Sequence, residues 1–442
     1  MALTGVQIYK FLPKTNCKDC GFPTCLSFAM KLATKSVELS LCPHISEESK
    51  AQLATASRPP IKLVTIGAND RKLDIGNETV MFRHEKTFFH QTGLFIRIKD
   101  TETVDKAAKL AGEISNYSVE RVGKIFKLDG IAIENASSNA DTFVKIVDAV
   151  TAKSNLPLIL MSTSTAAIDK ALAKTAGAKP LIYAANKDNL KDISELAKKY
   201  LCPIAIYEPG GLDALAEFSQ KLMDAGIEDI VLDPGARDFG ASLTALTQIR
   251  RTAIKASYQP LGFPIIAFPG DDILLAAQQI AKYASIVVLD RFDPAEIYSL
   301  ITLRLNIYTD PQKPIQMAPG IYQVGQPDRG SPLGVTTNFS LTYFSVAGEF
   351  EAAGYPSWLL VCDTEGLSVL TAWAAGKFDA VKIGRAVKAS GIGDKIGHRK
   401  LIIPGGVAII KGELEDELPG WTIMVGPRDA ADIGGYLKRN WK

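Results

Sequence analysis

Histidine is scarce in this chain, four residues in 442, and cysteine is limited to six. Long apolar runs are missing too: none reaches the eighteen or so residues that a membrane-spanning helix needs. The opening MALTGVQIYKFL lacks the basic, apolar and small-residue regions of a secretory signal, so the expected location is the cytoplasm. Charge of one sign is not in excess. A net charge of +2 leaves no footprint for nucleic acid or an anionic membrane. No G-x-x-x-x-G-K-[ST] occurs, and no G-x-G-x-x-G follows the first strand of the last region, which removes the signatures of ordinary triphosphate and dinucleotide binding. What remains is 47% hydrophobic and 22% charged, a globular composition, and the length suits two or three domains.

Four of the six cysteines crowd the first tenth of the chain. Cys17, Cys20, Cys25 and Cys42 are spaced Cys-x2-Cys-x4-Cys-x16-Cys-Pro, a set of soft ligands for one metal centre. In a reducing compartment thiols stay available as thiolates, so metal ligation is favoured over a disulfide framework. Three close cysteines and a distant Cys-Pro favour a cubane iron-sulfur cluster, because a bacterial ferredoxin motif also ends in Cys-Pro. Structural zinc is the competitor. Its sites usually arrive as two paired knuckles, whereas this set divides three and one. Gly21 and Pro23 turn the chain between Cys20 and Cys25, and LSFAMKLATKSVEL then reads as a helix whose Leu26, Met30, Ala33 and Val37 cover the cluster. The other two cysteines, Cys202 and Cys362, sit in apolar runs and read as buried structural thiols.

A polar stretch, Ser46 to Pro60, has the composition of a linker; as a flexible chain it would reach about 20 Å. Eight short apolar runs follow at 94–98, 130–134, 157–161, 180–184, 203–207, 229–233, 264–268 and 285–289, most of them trailed by an amphipathic stretch. That alternation predicts a (β/α)8 barrel, with a doubly wound open sheet as the alternative. The strand ends carry Glu134, Asn135, Ser162, Glu208, Asp233, Asp271, Asp290 and Arg291. Carboxylates there can simply cap the next helix or pair with loop cations, and no catalytic residue is named among them.

From about Asp310 the composition turns to Pro, Gly and Gln, as in a connector. The last part then reads as FSLTYF, WLLVCD, AVKIG, KLIIPGG and WTIMVG alternating with helices, five parallel strands of an open Rossmann-like sheet. Expected domains are therefore 1–58, an iron-sulfur module with linker; 59–312, the barrel; and 313–442, the Rossmann-like domain, in an α/β protein. Small residues and hydroxyls concentrate at the ends of the last strands, around Thr337, Gly366, Gly405-Gly406 and Gly426. Such loops let a large ligand approach the backbone, although each glycine alone serves a tight turn equally well.

NCKDCGFPTCLSFAMKLA with LCPH, GVTTNFSLTYFSVAGE and IPGGVAIIKGELEDELPGW together resemble the large subunit of the corrinoid iron-sulfur protein, the gamma subunit of the acetyl-CoA decarbonylase/synthase system, and the likeness spans the whole chain. The resemblance implies that Cys17, Cys20, Cys25 and Cys42 hold one [4Fe-4S] cluster. It further implies that the last domain binds a cobamide, with contacts at Thr337, Asn338, Ser340, Thr342, Val346, Gly366, Ser368, Leu370, Thr371, Ala372, Trp373, Gly405, Gly406 and Gly434. It implies a methyl carrier of the reductive acetyl-CoA (Wood-Ljungdahl) pathway of anaerobic carbon fixation. Cobalt would accept a methyl group from methyl-tetrahydrofolate, or another methyl-pterin, through a methyltransferase and donate it to acetyl-CoA synthase, while the cluster returns Co(II) to Co(I). The chain would then be the carrier subunit of a methyltransferase system rather than a stand-alone catalyst. Implied partners are a smaller barrel subunit in a heterodimer, the methyltransferase, acetyl-CoA synthase/CO dehydrogenase and a low-potential donor such as ferredoxin. Many corrinoid carriers supply an axial histidine from Asp-x-His-x-x-Gly, and His44, His84, His90 and His398 do not fit it. That absence agrees with a base-off corrinoid lacking a protein histidine ligand, in which Co(II) is easier to reduce. Two other classes stay open: a pterin-binding barrel methyltransferase, and an iron-sulfur electron carrier or reductase with a flavin or nucleotide.

Overall fold

Period-2 apolar runs followed by period-3.6 stretches dictate the largest part of the architecture, and a computed structural model of the chain shows how they close. It describes residues 4–33, 37, 39–46, 48–50, 53, 59–69, 71–175, 177–310 and 313–441. Two compact units result: one contains the cysteine segment and the barrel, and the other comprises Ser118–Phe126 and Thr309–Lys442.

In the first unit a hairpin, β1 (Val64–Ala68) and β2 (Arg71–Ile75), precedes β3 (Gly93–Lys99). After a second hairpin, β4 (Ser118–Arg121) and β5 (Lys124–Lys127), most of which belongs to the other unit, come β6 (Gly130–Glu134), β7 (Leu158–Met161), β8 (Leu181–Ala185), β9 (Ile204–Tyr207), β10 (Ile230–Asp233), β11 (Ile266–Gly270) and β12 (Ile286–Leu289). The sheet runs β10-β9-β8-β7-β6-β3-β12-β11, all parallel, and a parallel bridge between Leu232 and Ile265 joins its two edges. The expected (β/α)8 barrel is therefore what forms, and each strand lies within two residues of its predicted run. Both faces of the strands are buried, as a sheet lined inside by side chains and outside by helices requires. Phe95, Ala132, Ile159, Val231, Phe268 and Val288 share the interior cluster. Gly130 makes room for one of them, since a Cβ there would lie 2.0 Å from the Phe95 ring. The helices follow from spacing and caps. In Ala140–Thr151 the buried residues are Phe143, Ile146, Val147 and Val150, one stripe, and the Asn139 side chain accepts from the N–H groups of Asp141 and Thr142 to start it.

The second unit holds β13 (Gly320–Val324), β14 (Leu333–Thr337), β15 (Ser357–Cys362), β16 (Lys400–Ile403) and β17 (Thr422–Val425), in the order β13-β15-β14-β16-β17. Four strands are parallel and β13 is an antiparallel edge. Three expectations are corrected here. FSLTYF opens the helix Ser340–Ala352 instead of forming a strand, because Tyr343, Val346, Ala347 and Phe350 recur at helical spacing and pack on the sheet. AVKIG begins the helix Ala380–Ala389, whose Ala380, Ile383, Gly384 and Val387 give the same period. Of the strands that replace them, β13 lies in the supposed connector, and β14 starts at its end and runs through Gly334 to Thr337, expected as a loop; with β13 antiparallel, the expected five parallel strands are four. Ser118–Phe126 belongs to this unit as well: Ala318 donates its N–H to Val122, and a Cβ on Gly123 would lie 2.2 Å from the Tyr322 hydroxyl.

Candidate functional site

The cysteine segment folds around a core too small to be stable by apolar burial alone. Helices Gly5–Tyr9 and Cys25–Ala33 supply Ile8, Cys25, Phe28 and Ala29, joined by Cys42, Ile45 and Leu53, with Cys20 packed against them. Cys25 and Cys42 are buried and all four cysteines are free thiols. The loop carrying Cys17 and Cys20 is built from left-handed residues, Lys14, Asn16, Lys18 and Gly21. Turns of this kind point backbone N–H groups inward, a geometry suited to an anionic thiolate cluster. Asn16 also closes the loop, its Oδ1 accepting from the Cys25 N–H at 2.8 Å. Half of the expected covering stripe is present. Ala33 and Val37 pack against the core, whereas Leu26 and Met30 are exposed and Cys25, Phe28 and Ala29 face inward, the Phe28 ring 5.5 Å from Phe22. The described part of the helix runs to Ala33; of the expected linker from Ser46 to Pro60, residues 46, 48–50, 53, 59 and 60 are described, Leu53 among them buried, and the rest falls outside the described residues.

Sequence reasoning passed over one pair in this segment. His44 Nε2 lies 2.6 Å from Asp19 Oδ2, and the ligand atoms of Cys17, Asp19 and His44 lie within 4.8 Å of one another. The bond to His44, helped by one to Cys17, holds the Asp19 carboxyl below its ordinary range. An Asp two residues after one cysteine and a His two residues after another was the available signal.

The second site is a cavity of about 700 Å³ in the C-terminal unit. It follows from topology. β14 and β16 are neighbours, and the connection after β14 runs to β15 on one side while the connection after β16 runs to β17 on the other, which opens a crevice at their carboxyl ends. Gly334 of β14 forms part of the wall; a Cβ there would meet the Phe350 ring at 3.2 Å and Leu359 at 3.4 Å. Helices Ser340–Ala352 and Ile433–Asn440 leave a gap over this face, which Thr342, Val346 and Tyr436 line. At the mouth the loops touch backbone to backbone: a Cβ on Gly405 would lie 2.4 Å from the Gly426 carbonyl oxygen. Thr336 and Thr337 are fully buried, and neither Oγ1 has a hydrogen-bond partner in the protein. Thr336 lines the cavity, so a polar ligand group has a hydroxyl to meet there.

The residues expected at this site separate into groups. Thr342, Val346, Leu370 and Gly406 line the cavity. Asn338 and Gly366 instead build its support. The Asn338 Oδ1 accepts from Thr364 N, Thr364 Oγ1 and Gly366 N at 3.0, 2.8 and 2.9 Å, and its Nδ2 donates to Gln316 and Asp363. Ser368 caps the short helix Val369–Ala374, where its hydroxyl meets Thr371, Ala372 is buried and Trp373 is part exposed. Ser340 begins the helix after β14, and Gly434 packs against Ala353. Sequence reasoning missed Phe350, Ile402 and Tyr436, which line the cavity as ordinary core residues of sheet and helix.

Comparison with known proteins gives these two sites a common context. The family model for the CO dehydrogenase/acetyl-CoA synthase delta subunit matches residues 63–437, and an Fe-S cluster family model matches residues 12–44. The corrinoid/iron-sulfur protein large subunit of Moorella thermoacetica is 42% identical, over 100% of this chain and 99% of that protein. This chain belongs to that family. Archaeal members are similar over the same length: the acetyl-CoA decarbonylase/synthase complex subunit gamma of Methanothermobacter thermautotrophicus is 34% identical, covering 99% of both chains. Subunit gamma 1 of Methanosarcina thermophila is 36% identical over 99% of this chain and 98% of its own length. The other two cysteines are buried, as their sequence context predicted, Cys362 opposite Thr337 on β15. Burial pushes the Cys202 thiol up to about 11, and burial with the neighbouring Asp363 pushes Cys362 up to about 12. Among the described residues no helix is long and apolar enough to cross a membrane.

Proposed function

We propose that this protein is the methyl-carrying subunit of a corrinoid iron-sulfur system in the cytoplasm. Its proposed parts are a cluster module at 1–58, the barrel at 59–312, out of which Ser118–Phe126 joins the last unit, and a corrinoid domain at 313–442. The observation that carries the reading is similarity over essentially the full length to a corrinoid/iron-sulfur protein large subunit. When bound, the corrinoid cobalt supplies the centre that takes up and gives back a methyl group, and the [4Fe-4S] cluster supplies the electron that restores it.

The chain's own residues support both cofactors. Cys17, Cys20, Cys25 and Cys42 are four free thiols on one small core, two of them shielded from water, and match in number the thiolates of a cubane cluster. In the C-terminal unit the glycines at 334, 405 and 406 keep the crevice open, Thr336 offers an unmet hydroxyl, and Thr342, Val346 and Leu370 give an apolar wall. The base-off reading rests on His398, the unit's sole histidine. It precedes β16, at the amino ends of the strands, and its Nε2 lies 2.9 Å from the Ser331 carbonyl oxygen. The crevice is at the other end of the sheet, so no histidine of this unit is placed to ligate there. Leu341, Phe344, Leu370, Trp373 and Ile409 are exposed on the elements that follow the strand ends. Apolar exposure of this extent favours cover by another subunit, here the smaller barrel partner of a heterodimer. Methyl-tetrahydrofolate methyltransferase, acetyl-CoA synthase/CO dehydrogenase and a ferredoxin-like donor complete the set of partners.

The test is anaerobic purification with the smaller subunit, followed by iron and cobalt analysis and a visible spectrum. Iron for one cluster, cobalt near one per heterodimer and cobamide absorption bands support the reading. Stoichiometric zinc without cobalt would sink it.

A further inference from the structure

The four thiols of the cysteine segment differ in their access to water. Cys25 and Cys42 are buried, Cys20 is half-buried and Cys17 is exposed. The loop around Cys17 is exposed throughout residues 14–19, with Lys14, Asn16 and Lys18 in the left-handed region, and the Lys18 carbonyl accepts from Gly21 N at 2.8 Å to close a turn over Asp19 and Cys20. The Asp19 carboxylate has two protein partners there. The Cys17 thiol donates to it, and His44 Nε2 lies 2.6 Å from Oδ2. A carboxylate only accepts, so the imidazole nitrogen carries the hydrogen of that bond. Among the described residues no lysine or arginine pairs with Asp19, and His44 comes from the far end of the segment, two residues past Cys42.

Ligation changes what Asp19 meets. As a thiolate Cys17 has no hydrogen to donate, so thiolate and carboxylate face each other as two anions, their ligand atoms within 4.8 Å of one another and of the His44 nitrogen. The reduction potential of an iron-sulfur centre follows its net charge and its exposure to solvent. A carboxylate held beside the exposed corner therefore opposes the added electron. His44 is what holds it, because a half-exposed carboxylate without that bond is free to turn into water.

We propose that Asp19 lowers the cluster's reduction potential through its charge beside Cys17, and that His44 is the positioning residue that keeps the carboxylate there. The inference rests on the reading of the four cysteines as cluster ligands and adds how that site is tuned. A lower potential makes the reduced cluster a stronger donor, as the return of Co(II) to Co(I) requires. The couple is one electron, [4Fe-4S]2+ to [4Fe-4S]+, with no bond made or broken. One unit charge at 4.8 Å in water changes such an equilibrium by about fourfold. The electron is spread over the cluster beyond Cys17, so about threefold is expected, which for a one-electron couple is roughly 30 mV.

The full chain is loaded anaerobically with iron and sulfide, its iron is counted, and the midpoint is read by electron paramagnetic resonance during a dithionite titration. Working at about pH 9, above the ordinary imidazole range, keeps the His44 variants a comparison between uncharged groups. Asp19→Asn keeps an oxygen for His44 but removes the charge, and its midpoint should rise by roughly 30 mV. His44→Ala should raise it by part of that amount. His44→Gln, whose amide N–H stands in for Nε2, should restore the parent value. A parent chain without iron for one cluster would fail the cluster reading and this inference with it. With iron present, an unchanged or lowered midpoint in Asp19→Asn, or no difference between the two His44 variants, overturns this inference alone. If Asp19→Asn does not retain iron, the His44 pair decides.

Discussion

Replacing Asn338 with Ala is the sharpest test of how the C-terminal crevice is held open. Its side chain ties the end of β14 to the loop after β15, accepting from Thr364 N, Thr364 Oγ1 and Gly366 N. Truncation leaves the Thr364 hydroxyl a second acceptor, the Leu367 carbonyl at 3.1 Å, but strands the two backbone N–H groups in a site where Asn338 itself is 1% exposed. Each orphaned donor costs about 1–3 kcal/mol, so about 3 kcal/mol is expected in total. In a unit of this size, that lowers the melting temperature by roughly 9 °C. Because the chain contains two units, the signal should be read locally, by hydrogen exchange at Thr364 and Gly366, beside the global melt. Asn338→Asp provides the control. It keeps all three accepted bonds but sets a second carboxylate against Asp363, now 3.2 Å from Nδ2, so its deficit should shrink on acidification. A loss below about 1 kcal/mol in N338A, with protection at Gly366 unchanged, would refute the claim that this network holds the loop.

Three further outcomes are expected. Cys20→Ala should strip the module of iron while the barrel's secondary structure is retained; in the loaded heterodimer, reductive reactivation should stop while methyl transfer from pre-reduced cobalt persists. Equal loss of both activities would make the cluster structural. Arg250→Met should cost about 3–5 kcal/mol in urea unfolding, because Glu78 is left buried without its cation while still accepting from Phe89 N and His90 N. Restoring stability by adding Glu78→Gln would confirm that the stranded charge is the cause. Alkaline titration should lower stability between about pH 9 and 12: the thiols of Cys202 and Cys362 ordinarily titrate near 9.0 but are raised to about 11 and about 12 in the fold. In that window the unfolded chain sheds protons that the native chain retains, which favours unfolding. A flat stability profile there, measured by urea midpoints, would contradict their burial.

Legibility in the sequence varied with how local the signal was. All eight barrel strands were readable because each is a short β-branched run bounded by an amphipathic helix, and the parallel sheet they form demands apolar residues on both faces. The C-terminal unit defeated the same reading at two places. FSLTYF is rich in residues that favour strands, yet its buried positions continue at Tyr343, Val346, Ala347 and Phe350, a period visible only if the window extends past the run. GIYQV was hidden because β13 is an edge strand in Pro- and Gly-rich surroundings, only its last residue fully buried. Among the site residues, the cysteines were legible from spacing, whereas their supports Asn16, Asp19 and His44 are fixed by turns that spacing does not encode.

The cavity residues that were missed follow from the same distinction. A loop glycine announces itself by composition, so Gly405 and Gly406 could be named from the sequence. Phe350, Ile402 and Tyr436 line the crevice only because two helices stop short of covering the sheet, and nothing local distinguishes them from core. The barrel mouth repeats the point. Asp233 and Asp290 looked alike as carboxylates at strand ends, but one has every oxygen engaged and the other leaves Oδ1 bare. That difference is set by which cation crosses from a neighbouring strand. Arg237 is four residues from Asp233 on the same loop, whereas Arg97 is divided between Glu134 and Asp290. One guanidinium shared by two carboxylates cannot saturate both, so Asp290 keeps a buried oxygen without a partner where Asp233 does not.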